Sequence, residues 1–325
     1  MTATAATTTI KYTEVFNTSK AIIEKVRLPL GKGEPFSFDV KRDDLIDPIV
    51  SGNKWRKLKY NLLTASNRKN KGILTFGGPY SNHLVATAKA ASQFRVGAIG
   101  IVRGDELNAY SNPTLKACTD LGMKLIFVSR SNYRRKDEPT FLKQLHEDYP
   151  NYFFVPEGGK NYYGVIGCQE ILQETSNDYD HVYLAGGTGT TGAGLVLGAT
   201  QKSRINVVSA LKGSFIQDDI NALLHMVLNE EEMVEEYKER LIVHNDAHFG
   251  GYGKVPQELI TYINSIYEST GLKLDPIYTA KAMYQMEQDF RNKIIQPNEK
   301  VLFVHTGGLQ GALSWKESLG YLKDD

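Results

Sequence analysis

Cysteine is scarce in this chain: its 325 residues include two, Cys118 and Cys168, and neither lies in a Cys-x-x-Cys pair or a Cys/His array. That scarcity excludes a disulfide scaffold and a structural zinc site, no metal centre is expected, and a reducing compartment becomes the expectation. Net charge is scarce as well. The 38 Lys and Arg against 37 Asp and Glu leave +1, which argues against a nucleic acid or other polyanion held by bulk electrostatics. Long apolar runs are missing, so no membrane partner is expected. The charged-then-apolar order of a secretory signal is missing too, and the Ala/Thr-rich residues 1–9 read as a mobile tail. A soluble, cytoplasmic protein is the expectation.

What is present is globular. Hydrophobic residues make up 41% and charged residues 23%, and the length allows two lobes or one large α/β domain. Short runs rich in β-branched residues (72–76, 96–102, 124–128, 181–185, 204–210 and 300–305) alternate with helical patterns, including an Ala-rich helix over 82–92. Such alternation implies mainly parallel sheets covered by helices. The βα units cluster on either side of Pro156-Glu157-Gly158-Gly159, which points to two lobes with a site between them. Residues 228–240 read as a charged, solvated helix.

Three segments carry chemistry. In Ser51-Gly52-Asn53-Lys54-Trp55-Arg56-Lys57-Leu58, Lys54 follows a Gly-Asn pair at a helix start, a place from which an amine can enter a cleft. The bland reading makes it one of several solvated lysines on a helix face. Gly187-x-Gly189-x-x-Gly192 follows a strand and opens a helix, as a dinucleotide turn does. The next strand, however, lacks the terminal carboxylate that would hold a ribose. The loop carries Thr188, Thr190 and Thr191 instead, and hydroxyls with successive N–H groups at a helix N-terminus suit a phosphate monoester. A purely structural glycine turn is the third reading. After the strand ending Phe76-Gly77-Gly78, Ser81 and Asn82 start a helix whose free N–H groups could grip a carboxylate; either residue alone could be a plain N-cap. An amine, a carboxylate clamp and a phosphate cradle together suit pyridoxal 5'-phosphate held as a lysine imine. At the last strand, Asp275 and Thr279 could simply punctuate a helix, and His305 reads as a satisfied core histidine.

Seven segments in order resemble the tryptophan-synthase-β-like (fold type II) pyridoxal phosphate enzymes. They resemble most narrowly the group of 1-aminocyclopropane-1-carboxylate deaminase and D-cysteine desulfhydrase. They are Gly-Asn-Lys-x-Arg-Lys-Leu, Ser-Asn-His, Pro-Glu-Gly-Gly, the Gly/Thr loop, Gly251-Tyr252-Gly253, Asp275-Pro276-Ile277-Tyr278-Thr279 and His305-Thr306-Gly307-Gly308. The resemblance implies two lobes, each a mainly parallel twisted sheet flanked by helices, with the cofactor in the cleft between them. It places a small lobe at 58–167 and the large lobe at 1–57 plus 168–325. It implies that Lys54 forms the imine, that Asn82 meets the cofactor's phenolic oxygen, and that Ser81 meets the substrate carboxylate. Gly187, Thr188, Gly189, Thr190 and Thr191 would hold the phosphate. Tyr278 would stack near the ring, and Tyr252, His83 and Tyr80 would line the substrate side. A homodimer acting on a small-molecule amino acid is the implied assembly.

The resemblance also bears on the reaction. α,β-Elimination from D-cysteine gives the leaving sulfide its charge, so a neutral hydroxyl facing the pyridine nitrogen suffices. Opening a cyclopropane ring demands stronger electron withdrawal, favoured by a carboxylate at that nitrogen. The deaminase pattern has glutamate after the tyrosine and leucine before the final Gly-Gly, where this chain has Thr279 and Thr306. D-Cysteine desulfhydrase is therefore the expected activity, with the cyclopropane deaminase and a non-catalytic cofactor-binding protein as alternatives. Tyr80 stands where the family usually has glutamine, and Trp55 is larger than expected beside the lysine.

Overall fold

The computed structural model describes residues 17–31, 34–175 and 178–323; the expected tail at 1–9 lies outside them. The chain begins with a hairpin, β1 (Ile23–Leu28) and β2 (Phe36–Lys41), followed by α1 (Asn53–Asn67). A βα series then runs through β3 (Gly72–Gly77), α2 (Asn82–Gln93), β4 (Gly97–Arg103), α3 (Pro113–Asp120), β5 (Met123–Val128), α4 (Arg130–Arg134), α5 (Pro139–Asp148) and β6 (Tyr152–Val155). After α6 (Tyr162–Gln173) come β7 (His181–Gly186), α7 (Thr190–Gly198), β8 (Arg204–Ser209), α8 (Phe215–Leu228), α9 (Glu231–Lys238) and β9 (Leu241–His244). The chain closes with α10 (Gln257–Thr270), α11 (Thr279–Arg291) and β10 (Val301–Val304).

These strands form two sheets, ordered β1-β2-β10-β7-β8-β9 and β5-β4-β3-β6. All pairings are parallel except the opening hairpin, in which Ile23 faces Lys41 and Leu28 faces Phe36. The central strands β3 and β7 are buried at every residue, as strands covered on both faces must be. The expected strands thus fall in place, whereas β1, β2, β6 and β9 escape the sequence reading. The expected helix over 228–240 is shorter: Asn229 turns left-handed at φ 59°, ending α8, and α9 starts afresh at Glu231.

Close helix packing determines where the site lies. A Cβ at Gly167 of α6 would stand 2.0 Å from the Arg56 carbonyl oxygen, and one at Gly194 of α7 would stand 2.5 Å from Cys168 Cβ. Only glycine lets α6 lie this tightly between α1 and α7, which brings the start of the lysine-bearing helix against the start of the Gly/Thr-loop helix. Arg56, fully buried, fixes α1 further: its guanidinium donates to both Asp43 carboxylate oxygens at 2.9 Å and also grips Glu174. Trp55 is buried in the core of the four-stranded sheet with Leu58 and Leu62, so its bulk serves packing. His305 is a satisfied core histidine: Nε2 donates to the Lys273 carbonyl at 2.7 Å and Nδ1 accepts from the Gly307 N–H at 3.3 Å.

Candidate active site

Lys54 is the second residue of α1, preceded by Gly52 at φ 63°. A Cβ on Gly52 would be 2.0 Å from the Thr306 carbonyl oxygen, so the helix start is seated directly on the end of the last strand. The Asn53 N–H donates to that same oxygen at 3.2 Å. The Lys54 amine donates to Asn53 Oδ1 at 2.7 Å, while Asn53 Nδ2 donates to the Thr191 hydroxyl at 2.9 Å. Asn53 therefore connects the amine to the Gly/Thr-loop helix through its side-chain amide, and both to the turn after the last strand through its backbone N–H. Burial, reinforced by the nearby Lys57 charge and only partly opposed by Asp275, pushes the Lys54 amine down from 10.5 to about 7. A lysine in that state supplies a neutral amine near physiological pH, as nucleophilic and basic roles require.

Opposite lies the Gly/Thr loop. Gly189 caps α7 in the left-handed region at φ 71°, and no side chain among the described residues caps the first N–H groups of that helix. The Thr188 and Thr190 hydroxyls lie 3.1 Å apart. Thr191 is otherwise engaged: it accepts from Asn53 and hydrogen-bonds the buried Cys168 thiol. The turn after β6 closes the loop from the other sheet, since a Cβ at Gly158 would be 2.7 Å from Thr188 Cγ2. Along the same turn runs Lys57, whose Cβ would stand 3.0 Å from a Cβ at Gly159. Lys57 is buried, and among the described residues no hydrogen bond or ion pair reaches its amine. Sequence reasoning passed over it because a lysine in a basic helix start reads as solvated.

Ser81 is the N-cap of α2: its hydroxyl accepts from the Leu84 N–H at 3.4 Å, which leaves its own hydrogen to donate. Asn82 follows at the first helical position, and a Cβ at Gly311 would be 3.5 Å from its Nδ2, so the amide borders the loop after β10. His83 is buried, with Nε2 3.0 Å from the Thr75 hydroxyl and Nδ1 without a hydrogen-bond partner among the described residues. Burial and the two lysines push its pKa down to about 3, so the ring is neutral. Tyr80, the residue before Ser81, is 69% exposed.

The third wall comes from the start of α11. Tyr278 borders the Gly187 position, where a Cβ would be 3.3 Å from its Cε1. Its ring meets that of Tyr252 at 6.2 Å and 63°, and burial together with Tyr252 raises its pKa well above 10.0. The buried Asp275 carboxylate accepts from the Tyr278 N–H at 2.8 Å, the Thr279 N–H at 2.9 Å and the Thr279 hydroxyl at 2.7 Å. Thr279 thus spends its hydrogen on Asp275, accepts the Asp275 N–H at 2.8 Å, and keeps one oxygen lone pair for anything beyond. Thr306 is buried beside Gly52. Among the described residues, no group of three or more His, Cys, Asp or Glu could hold a metal ion.

An uncapped helix start lined by threonine hydroxyls, an unpartnered buried amine and a neutral lysine fit a phosphorylated aldehyde. This is the signature of a pyridoxal phosphate site on an α/β, two-sheet scaffold. The chain belongs to the pyridoxal-phosphate dependent enzyme family, whose model matches residues 26–307. A Pyrococcus abyssi protein provisionally named 1-aminocyclopropane-1-carboxylate deaminase is 32% identical over 86% of this chain and 87% of that protein. A bifunctional D-cysteine desulfhydrase/1-aminocyclopropane-1-carboxylate deaminase of Arabidopsis thaliana is 28% identical over 84% of this chain and 72% of its own length. Among solved structures, an ACC deaminase homologue superposes with a TM-score of 0.74 at 24% identity, covering 97% of this chain and 99% of that one. That likeness supports the fold. No helix among the described residues is long and apolar enough to cross a membrane.

Proposed function

We propose that this enzyme is a D-cysteine desulfhydrase, converting D-cysteine and water to pyruvate, ammonia and hydrogen sulfide. The observation that carries the choice is Thr279: a neutral hydroxyl with its hydrogen committed to Asp275 stands where the deaminase pattern places a glutamate. When bound, the cofactor supplies an electron sink for the carbon next to the substrate nitrogen. The chain's own groups do the rest. The α2 start, with the Ser81 hydroxyl and Asn82, holds the substrate carboxylate, and neutral His83 backs that clamp. The first N–H groups of α7, with Thr188 and Thr190, hold the phosphate, and Lys57 supplies the cation there. Tyr278 and Tyr252 line the substrate face.

Lys54 serves as the base. Its amine, near pKa 7, accepts the α-proton, and Asn53 Oδ1 steadies the ammonium that results. Breaking the Cβ–S bond releases sulfide, and water completes the conversion to keto acid and ammonia. Residues 58–167 are assigned as the small lobe, with boundaries inside α1 and α6. The free, buried Cys118 and Cys168 accord with a cytoplasmic protein, and a homodimer is the assigned assembly.

Deaminase activity on the cyclopropane amino acid is a second reading, favoured by the names of the relatives. A protein that only carried the cofactor would have no use for the Tyr252–Tyr278 pair or the carboxylate clamp. The test is the purified, cofactor-loaded protein given D-cysteine, L-cysteine and 1-aminocyclopropane-1-carboxylate, with sulfide and keto acid measured. Sulfide and pyruvate from D-cysteine are expected; turnover of the cyclopropane substrate with none of D-cysteine would reverse the assignment.

A further inference from the structure

Lys281 is a buried cation that the proposed chemistry does not use. It is 0% exposed at the third position of α11, and no carboxylate among the described residues lies within ion-pair distance of its amine. Its Nζ donates instead to the carbonyl oxygens of His248 at 2.9 Å and Gly251 at 3.0 Å. Burial of an ammonium without a counter-ion is costly, so ion–dipole contacts of this kind must offset a real penalty.

The segment it grips, residues 245–256 between β9 and α10, has no sheet or helix to hold it. It passes through the left-handed region at Phe249 (φ 51°), Gly250 (φ 92°), Gly251 (φ 120°) and Gly253 (φ 70°). The three glycines take such angles freely and leave the loop soft, whereas Phe249 persists there only where surrounding contacts hold it. Both gripped carbonyls are turn acceptors already: His248 O accepts from the Gly251 N–H at 3.0 Å, and Gly251 O from the Lys254 N–H at 3.2 Å. A single ammonium therefore clamps two consecutive turns. The next residue is Tyr252, 56% exposed and thus poorly held by its own packing, whose ring meets Tyr278. Tyr278 is the N-cap of the same helix that carries Lys281. One rigid element thereby sets both tyrosines.

We propose that Lys281 is a positioning residue acting as a tethered monovalent cation: it orders the loop 245–256 and so holds Tyr252 against Tyr278 on the substrate side. The proposal rests on the functional reading only in giving those tyrosines the substrate. A cation fixed to the chain occupies the place a dissociable potassium or ammonium ion could fill, so this loop needs neither in the wild type.

Lys281→Met keeps the stem and removes the charge and both donors. In the loaded enzyme the cofactor absorbance should persist while KM for D-cysteine rises about tenfold and kcat changes less, the scale set by losing charge-assisted hydrogen bonds. Amide exchange over 245–256 should quicken by a similar factor. Potassium chloride at about 0.1 M should restore much of both in the variant and change neither in wild type, with lithium chloride as the screening control. Potassium is the probe because ammonium is itself a product. Lys281→Gln keeps two donors without charge and carries the same test if the methionine variant fails to fold. Unchanged exchange in either variant, or a loosened loop that potassium does not tighten, would overturn the proposal. Exchange is also measured on the unliganded protein, so a failure of the enzyme to turn over any amino acid would count against the functional reading alone.

Discussion

Replacing Lys57 with methionine should move two observables in opposite senses. Lys57 follows Lys54 by three residues on α1, a spacing that puts two side chains on one helix face with their amines about 8 Å apart or less. At an effective dielectric near 20, two charges about 8 Å apart repel by roughly 2 kcal/mol, or about 1.5 pKa units; the partial solvent access of Lys54 reduces this to about one unit. Removing Lys57 therefore raises the Lys54 amine from about 7 towards 8. The neutral amine is what combines with the aldehyde, so the pH at which cofactor uptake by the unliganded protein is half-maximal should rise by about one unit. The phosphate meanwhile loses a charged donor worth about 1.5–3 kcal/mol, which predicts retention roughly tenfold to a hundredfold weaker. Both are read by absorbance titration across pH 5 to 10 (a range of about five units around the lysine midpoint), with Lys54→Ala as the blank. An unmoved midpoint together with unchanged affinity would refute the placement of Lys57 beside both the amine and the phosphate.

Lys54→Ala should abolish the visible cofactor band and turnover; activity surviving the substitution would assign the chemistry to another lysine. Thr279→Val removes a hydroxyl that donates to Asp275 and accepts its N–H at 2.8 Å, and should cost about 1–3 kcal/mol in denaturant unfolding of the unliganded protein. An unchanged midpoint would show that the cluster does not hold this turn together. Because burial depresses Lys54 from 10.5 to about 7, the unfolded chain binds more protons between those pH values, so unliganded stability should rise with pH through that window. Lys54→Met should flatten the rise, by at most about 5 kcal/mol; equal slopes in the two proteins would contradict the buried neutral amine. Thr279→Glu combined with Thr306→Leu should shift turnover towards the cyclopropane substrate, and no gain would remove the argument from the pyridine nitrogen.

Much of this architecture was legible in the amino-acid order, and the failures have physical causes. The long buried strands read clearly because parallel strands covered on both faces are continuous apolar runs. The edge strands β1, β6 and β9 did not, because short or half-exposed strands carry little periodicity, and the alternation of Phe36, Phe38 and Val40 in β2 is only three residues deep. Lys54 stood out through its Gly-Asn prefix, but Asn53 looked like a simple helix start. Its connection of the amine to Thr191 arises from the packing of α1, α6 and α7, which no local pattern encodes. Lys57 read as a solvated charge for the same reason: its burial comes from the turn at Gly159, where a Cβ would stand 3.0 Å from its own. Thr191 reads as a phosphate ligand from the loop pattern, and the bond its hydroxyl accepts from Asn53, which no local pattern encodes, leaves its backbone N–H at the uncapped helix start for that role.

The most direct test of the central claim is to load the protein with pyridoxal phosphate, reduce it with borohydride, digest it and locate the phosphopyridoxyl group by mass spectrometry. The account predicts a single label, on the Lys54 side chain. A label on Lys57 or any other lysine, or a protein that takes up no label at all, would contradict it.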